Sequence, residues 1–130
     1  MKAKKPVLLY CADPDLLAVT AYALRLHPYD VAAVRNSADA AIMAGENDIA
    51  FACGVLIHTQ QGDPAGRLVH RLLQSASHIP LLLVDRAGDL APVRYADMVL
   101  YGRNTTMAHI LAALEVLCQR SSGSPAQRVV

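Results

Sequence analysis

Three side chains that could do chemistry each come directly after an apolar, strand-like run of this sequence. They are Cys11, His58 and Asp85. A thiol, an imidazole and a carboxylate are the parts of a Cys-His-Asp nucleophile, in which the imidazole activates the thiol and the carboxylate orients the imidazole. Together with Asp13 they could instead bind zinc. A third interpretation is structural, because a small buried thiol and a hydrogen-bonded histidine can fill a crevice without any chemistry.

These positions come together only if the apolar runs form one parallel sheet. The runs alternate with segments that begin with helix-capping residues, such as Asp13-Pro14, Asn36-Ser37 and Asn104-Thr105. The sequence therefore predicts an α/β fold with a doubly wound, five-stranded parallel sheet and right-handed crossovers. With strand order 2-1-3-4-5, the ligand crevice lies beyond the carboxyl ends of strands one and three. We predict strands over residues 7–10, 30–34, 54–57, 81–84 and 97–101, helices over 14–26, 38–44, 65–74 and 106–119, and a shortened or irregular fourth helix between residues 85 and 95.

Length and composition indicate one domain. The chain has 130 residues, of which 54% are hydrophobic and 18% charged, and its formal net charge is +1. This balance gives no basic stripe for nucleic-acid phosphates, and the first apolar stretch is too short for a signal peptide or a membrane span. The three cysteines lack CxxC spacing, which favours free thiols in a reducing cytosol. We expect a cytoplasmic protein with one domain over residues 1–120, a disordered tail over 121–130, and neither a membrane nor a nucleic-acid partner.

The order and spacing of several local motifs resemble the response-regulator receiver family. The run from His58 to Gly66 fits without gaps over the family's aspartate, loop and helix-opening glycine. Ile79-Pro80 before strand four and Ala96-Asp97 before strand five also look like receiver sequence. The resemblance covers about residues 6–119. It implies the flavodoxin-like receiver fold.

The resemblance also implies a site that has lost its acidic residues. A typical receiver binds magnesium through carboxylates, is phosphorylated on an aspartate after strand three, and reports the phosphoryl group through a Ser or Thr after strand four and a lysine after strand five. The corresponding positions here hold Cys11, Ala12, His58, Asp85 and Gly102. Only Asp13 remains of the acidic cluster, and magnesium requires several oxygen ligands. We therefore expect neither a bound metal nor a cofactor.

The function implied by the resemblance is an atypical, phosphorylation-independent receiver-like domain that acts in phosphorelay-type signal transduction through protein contacts. The expected partner is a histidine kinase, a regulator or a second copy of the chain in a homodimer, and no enzymatic activity is expected. Two alternatives stay open. One is a small enzyme or metal-binding protein that uses Cys11, His58 and Asp85. The other is an unconventional phosphoreceiver that uses Asp13, Asp63 or Asp85.

The first predicted helix is apolar on nearly all sides, which is typical of a helix that is buried on more than one side. One stripe packs against the predicted sheet, and a partner or further burial within the monomer covers the other. An exposed apolar patch is unusual on a lone domain, so the helix is a candidate interface. The candidate interface residues are Leu16, Val19, Ala23 and Leu26.

Overall fold

A five-stranded parallel sheet forms the centre of the molecule. The computed structural model describes residues 4–36, 38–40, 42, 51–59, 79–86, 97–102 and 105–122. The strand order is β2-β1-β3-β4-β5, which confirms the predicted order and fold class. The strands are β1 (Lys5–Cys11), β2 (Tyr29–Val34), β3 (Cys53–His58), β4 (Leu81–Asp85) and β5 (Met98–Tyr101).

The burial of the strands follows from their composition. Strands β3 and β4 are buried at every position, and β1 is buried from Val7 to Cys11. Continuous apolar runs of this kind are typical of parallel strands that are covered on both faces. Strands β2 and β5 lie at the two edges of the sheet and are only partly buried. The most apolar strands are therefore the central ones, where burial stabilises the fold most.

Side chains divide between the two faces of the sheet by simple alternation along each strand. One face, which we call the helix face, packs against helices α1 (Pro14–Arg25) and α2 (Met107–Ser122). Its core includes Leu9, Val55 and Val84 from the central strands. The second face carries the alternate residues of the same strands, Leu8, Tyr10, Leu56, Leu81 and Leu83, together with Ala40 and Phe51.

Helix α1 begins as the sequence predicts. Asp13 is its N-cap, and one carboxylate oxygen, Oδ1, accepts hydrogen bonds from the backbone N–H groups of Asp15 (3.0 Å) and Leu16 (3.3 Å). Pro14 occupies the first helical position, where its missing N–H costs nothing. The helix ends at Arg25, one residue before the predicted end.

The start of α2 differs from the prediction, which placed the cap at Asn104-Thr105. Thr106 is the capping residue, because its Oγ1 accepts from the His109 backbone N–H at 3.3 Å. The Thr106 N–H in turn donates to Nδ1 of His109 at 3.1 Å, so the two residues bond reciprocally as in a capping box. A histidine in place of the usual Glu or Gln hides this signal in the sequence. The helix also extends to Ser122, three residues beyond the predicted end.

A second predicted cap is confirmed after β2. Asn36 Oδ1 accepts from the Asp39 backbone N–H at 2.8 Å, and residues 38–40 and 42 are helical. The predicted helix over 65–74, most of the predicted irregular segment before β5 and the end of the predicted tail lie outside the described residues. Within the described ranges, no helix combines the length and the apolar character that a membrane crossing requires.

The amino ends of β3 and β4 approach each other closely at Gly54. A Cβ atom built on this glycine would lie 2.9 Å from Cδ2 of Leu81, its register partner on β4. The Gly54 N–H also donates to the Pro80 carbonyl at 2.8 Å. A larger residue would force the end of the buried Leu81 side chain to shift, and glycine avoids that shift.

Asp97 joins the amino ends of β4 and β5. Its Oδ2 accepts from the Leu81 N–H at 2.7 Å, and its own N–H donates to the Leu81 carbonyl at 2.9 Å. The two bonds fix the residue at which β5 begins to pair with β4. The side chain that looked like receiver sequence at this position therefore has a structural role in this chain.

We expect Asp97→Ala to lower the free energy of unfolding by about 1–2 kcal/mol, because it removes a charged acceptor from the Leu81 N–H. Urea denaturation measures the change. Asp30→Ala, at an exposed position of edge strand β2, is the matched control and should change stability by less than about 0.5 kcal/mol. Equal effects of the two substitutions would contradict the role given to Asp97.

Candidate functional site

The carboxyl ends of β3 and β4 place an imidazole next to a carboxylate. His58 and Asp85 are register partners on these neighbouring strands, and each is the last residue of its strand. Both are buried, with 2% and 0% of their surface exposed. In parallel strands, partners in register point to the same face of the sheet. The structure thus brings together two of the three residues that the sequence suggested for chemistry.

Cys11 does not join them. It pairs with Ile57, the residue before His58, so its side chain lies on the opposite face of the sheet from the imidazole. It is fully buried in the helix-face core with Leu17 and Ala21 of α1. The expectation that Cys11, His58 and Asp85 point into one crevice is therefore wrong for Cys11. The sequence pattern placed all three residues at strand ends but did not fix the side to which each one points.

The residue of the first loop that shares a face with His58 is Ala12. It packs against the second-face core, which contains Leu56 and Leu83, and these residues have the same alternation as His58 and Asp85. On β5, the register partner of Asp85 is Tyr101. The row across the carboxyl edge is therefore Ala12, His58, Asp85 and Tyr101, and we call it the edge row.

Gly102, the expected counterpart of the receiver lysine, lies one residue beyond the edge row. Its φ angle of 101° is in the region that side chains disfavour, and the space around a Cβ there is empty. Its N–H donates to the Asp85 carbonyl at 2.8 Å. Gly102 therefore turns the chain out of β5, while the position level with Asp85 belongs to Tyr101, whose side chain is 57% exposed.

Arg86 and Thr105 tie the carboxyl edge to the start of α2, and the sequence analysis did not select either. The Arg86 backbone N–H donates to the His58 carbonyl at 2.9 Å, and its Nη1 donates to the Thr105 carbonyl at 2.9 Å. The Thr105 hydroxyl donates to the Gly102 carbonyl, also at 2.9 Å. These bonds link the ends of β3, β4 and β5 through neutral carbonyl groups. The side-chain hydrogen bond holds the Arg86 guanidinium against Thr105, just before α2.

Asp13, the remaining acidic residue of the first loop, is exposed and caps α1. Its Oδ1 accepts two backbone N–H groups, which leaves one carboxylate oxygen for other partners. Among the residues that the structure describes, no cluster of three or more His, Cys, Asp or Glu side chains is arranged to hold a metal ion. Asp63, the third acidic candidate, lies outside that part of the chain.

An open cleft of about 420 Å³ lies beside the edge row, at the carboxyl ends of β1 and β2. It is next to the predicted crevice, which lay between β1 and β3. Buried His58 and Asp85 are not part of its lining. The lining residues are Ala12, Ala33, Val34, Arg35, Asn36 and Asp39.

The four candidate interface residues on α1 are not equally exposed in the structure. Val19 and Leu26 are 62% and 68% exposed, whereas Leu16 is half-buried and packs against the helix-face core. Ala23 is also half-buried. Tyr22, which the sequence analysis passed over, is 67% exposed and lies between the other two. The outward surface is therefore Val19, Tyr22 and Leu26, which we call the α1 stripe.

The burial of Cys11 gives a direct prediction. In a Cys53→Ala/Cys118→Ala variant, where Cys11 is the sole thiol, an aromatic disulfide reagent should label the native protein at least about a thousandfold more slowly than the protein in urea, because labelling requires opening. Stopped-flow absorbance measures both rates. Fast labelling that added zinc prevents would contradict the burial of Cys11 and support the nucleophile or zinc-site interpretation.

Comparison with protein-family models and with curated proteins finds no match. Solved structures do match over nearly the whole chain. The signal receiver domain of an HD domain-containing protein from Pseudomonas fluorescens Pf-5 has a TM-score of 0.79 and 13% identity, covering 100% of this chain and 96% of that chain. A CheY-like receiver domain protein from Methanospirillum hungatei JF-1 has a TM-score of 0.77 and 12% identity, covering 92% and 98%.

A third similar structure is the receiver domain of a sensor histidine kinase from Pseudomonas aeruginosa PAO1, which has a magnesium ion coordinated in its active-site cleft. Its TM-score is 0.69 at 17% identity, covering 94% of this chain and 100% of that chain. At such low identity the likeness concerns the fold, and its near-complete coverage of both chains agrees with the strand order described above. The chain thus has the flavodoxin-like fold of CheY-like response-regulator receiver domains.

Proposed function

We propose that the chain is an atypical, phosphorylation-independent receiver-like domain of the cytoplasm that works in phosphorelay-type signalling through protein contacts and without enzymatic activity. The observation that carries the proposal is the composition of the edge row. At the end of β3, where the resemblance implies a phosphorylated aspartate, the chain has buried His58. Its neighbours in the row are Ala12, Asp85 and Tyr101.

The chemistry of phosphotransfer explains why this composition matters. A receiver forms an acyl phosphate, which requires a carboxylate that the phosphodonor can reach. His58 provides none, and the Asp85 side chain is fully buried. Magnesium requires hard oxygen ligands in near-octahedral geometry. Asp13 offers one carboxylate whose Oδ1 is already bonded to the helix α1 amides, and Ala12 offers no ligand at all.

The proposal also concerns the response to phosphate. In a typical receiver, a lysine after the fifth strand detects the new charge, whereas here β5 ends at Tyr101 and Gly102 follows it. The nearby cation, Arg86, donates to the Thr105 carbonyl. A domain without a charge sensor in this place has no electrostatic route from a phosphoryl group to a change of shape. Constitutive recognition is the mechanism that this arrangement supports.

The α1 stripe supplies a surface for such recognition. Val19, Tyr22 and Leu26 are each more than 60% exposed, and they lie along α1 and its C-cap. Tyrosine is enriched among the anchor residues of protein interfaces, and neighbouring exposed apolar side chains mark interaction surfaces. The proposed partner is a histidine kinase, a regulator or a second copy of the chain. The experiments below test the phosphate and the contact parts of the proposal separately.

Incubation with acetyl phosphate and magnesium should leave the mass of the intact protein unchanged, because the edge row offers no accessible carboxylate. Mass spectrometry of the intact chain under native conditions measures this. A receiver domain with a complete acidic cluster, treated in parallel, is the positive control. A phosphoryl adduct on Asp13, Asp63 or Asp85 would contradict the proposal and favour the unconventional phosphoreceiver.

For the contact, we expect wild-type protein to self-associate and the double variant Val19→Glu/Leu26→Glu to associate at least about tenfold more weakly. Sedimentation velocity over a concentration series gives the association constants. Val116→Glu, at a 47% exposed position of α2, is the matched control, and circular dichroism checks the fold of each variant. A wild type that stays monomeric would contradict the homodimer, and an unchanged constant in the double variant would contradict the assignment to α1.

A further inference from the structure

Two of the three cysteines meet at the opposite end of the sheet from the edge row. Cys53 is the first residue of β3, and Cys118 lies in the last turns of α2. Both belong to the helix-face core, with 0% and 1% of their surface exposed. A hydrogen bond joins their side chains, and the Cys53 thiol also donates to the Gly54 carbonyl at 3.6 Å. The chain therefore holds two thiols against each other where the amino end of β3 meets the carboxyl end of α2.

We propose that Cys53 and Cys118 are a redox-active pair that hydrogen peroxide converts into a disulfide, which fastens the end of α2 to the start of β3. This inference does not depend on the proposed signalling function. It depends on the contact between the two thiols and on the position of Cys118 near a helix end.

The surroundings make the two thiols unequal. The hydrogen bond with Cys53 lowers the pKa of Cys118 against the opposing effect of burial, and the positive charge of Lys5 acts in the same direction. The same hydrogen bond and burial raise the pKa of Cys53. Thiolate is the form that reacts with peroxide. Cys118 is the attacking residue in this proposal, because it lies near the end of α2 and its pKa is the lowered one of the two.

The reaction has two steps, oxidation of Cys118 and then formation of the disulfide. The Cys118 thiolate attacks one oxygen of hydrogen peroxide, the O–O bond breaks, and the departing hydroxide takes a proton to become water, which leaves a sulfenic acid. The Cys53 thiol attacks the Cys118 sulfur, the S–S bond forms, the S–O bond breaks, and hydroxide leaves with the Cys53 proton as a second water. The two sulfurs together lose two electrons to the peroxide.

Hydrogen peroxide reaches Cys118 when the end of α2 opens. The helix ends at Ser122, about one turn beyond Cys118, and terminal turns open more readily than the body of a fold. Opening of this turn exposes Cys118 while Cys53 stays on a central strand. Peroxide is small and uncharged, so a brief opening is enough for it to enter, and the helix then recloses on Cys53.

Cys11 is an internal control for disulfide formation, because it is as buried as Cys53 and Cys118 but too far from Cys53 to form a disulfide with it. Val7 is the register partner of Cys53, and Cys11 lies four positions further along β1. At a rise of 3.3 Å per residue this is about 13 Å, well beyond the roughly 7 Å limit between the Cα atoms of a disulfide. A disulfide that forms from native geometry should therefore exclude Cys11.

The test is peroxide treatment of the folded 130-residue chain, followed by denaturing alkylation, trypsin digestion and mass spectrometry. The three cysteines fall on separate tryptic peptides, so the linkage can be read directly. We expect a Cys53–Cys118 linkage, loss of two alkylatable thiols, and a melting temperature several degrees higher that returns to its starting value with dithiothreitol. The Cys11→Ala variant should give the same linkage.

Three results would overturn the proposal. They are three thiols that stay alkylatable after treatment, a linkage that includes Cys11, and oxidation of Cys118 to sulfinic acid without a linkage. Peroxide treatment in urea is the control for geometry, because unfolded chains should lose the preference for Cys53 and Cys118. The decisive measurements use the wild-type chain, so they do not depend on whether a cysteine variant folds.

Discussion

The pairing register of the central parallel strands is the constraint on which the other features of this molecule depend. His58 faces Asp85 across β3 and β4, while Cys11 faces Ile57 across β1 and β3. Because side chains alternate strictly, this register puts the imidazole and the carboxylate on one face and the thiol on the other. A slip of one residue would exchange every buried side chain between faces. The apolar pattern of the strands and the bonds of Asp97 to Leu81 oppose such a slip.

Much of the fold could be predicted because its signals are local. Continuous apolar runs mark the central strands, and Asp13-Pro14 marks the start of α1. The candidate site was harder to predict than the fold, because it depends on the face of the sheet to which each side chain points. The sequence places Cys11 at a strand end but contains no local signal for its face, which only pairing with Ile57 sets. Similarly, the register with Asp85 makes Tyr101 rather than Gly102 the end of the row.

The exposed residues of the helices were equally hard to predict from the sequence. Leu16 and Val19 belong to one stripe by spacing, yet Leu16 packs on the core and Val19 is exposed, because the sheet and α2 together cover a wide sector of α1. The Thr106 cap was missed since its reciprocal partner is a histidine, His109, rather than an acidic or amide side chain. On α1, tertiary packing decided which residues of the stripe are exposed, whereas the Thr106 cap is a local pair that the usual capping pattern does not include.

The two ends of the sheet have different chemistry. At the carboxyl end, the edge row and its backbone bonds through Arg86 and Thr105 support our proposal of a domain that recognises a partner without a phosphate signal. At the amino end, Cys53 of β3 lies against Cys118 of α2, and we infer that the two respond to oxidation. Recognition through α1 and fastening of α2 involve neighbouring helices on the same face of the sheet.

The most direct test of the central claim is the association constant of the chain, measured by sedimentation velocity with and without acetyl phosphate and magnesium. Constitutive recognition predicts the same constant in both conditions, within about twofold. A phosphodonor-dependent change of tenfold or more would contradict the account, because it would mean that this receiver fold still converts phosphorylation into a change of contact.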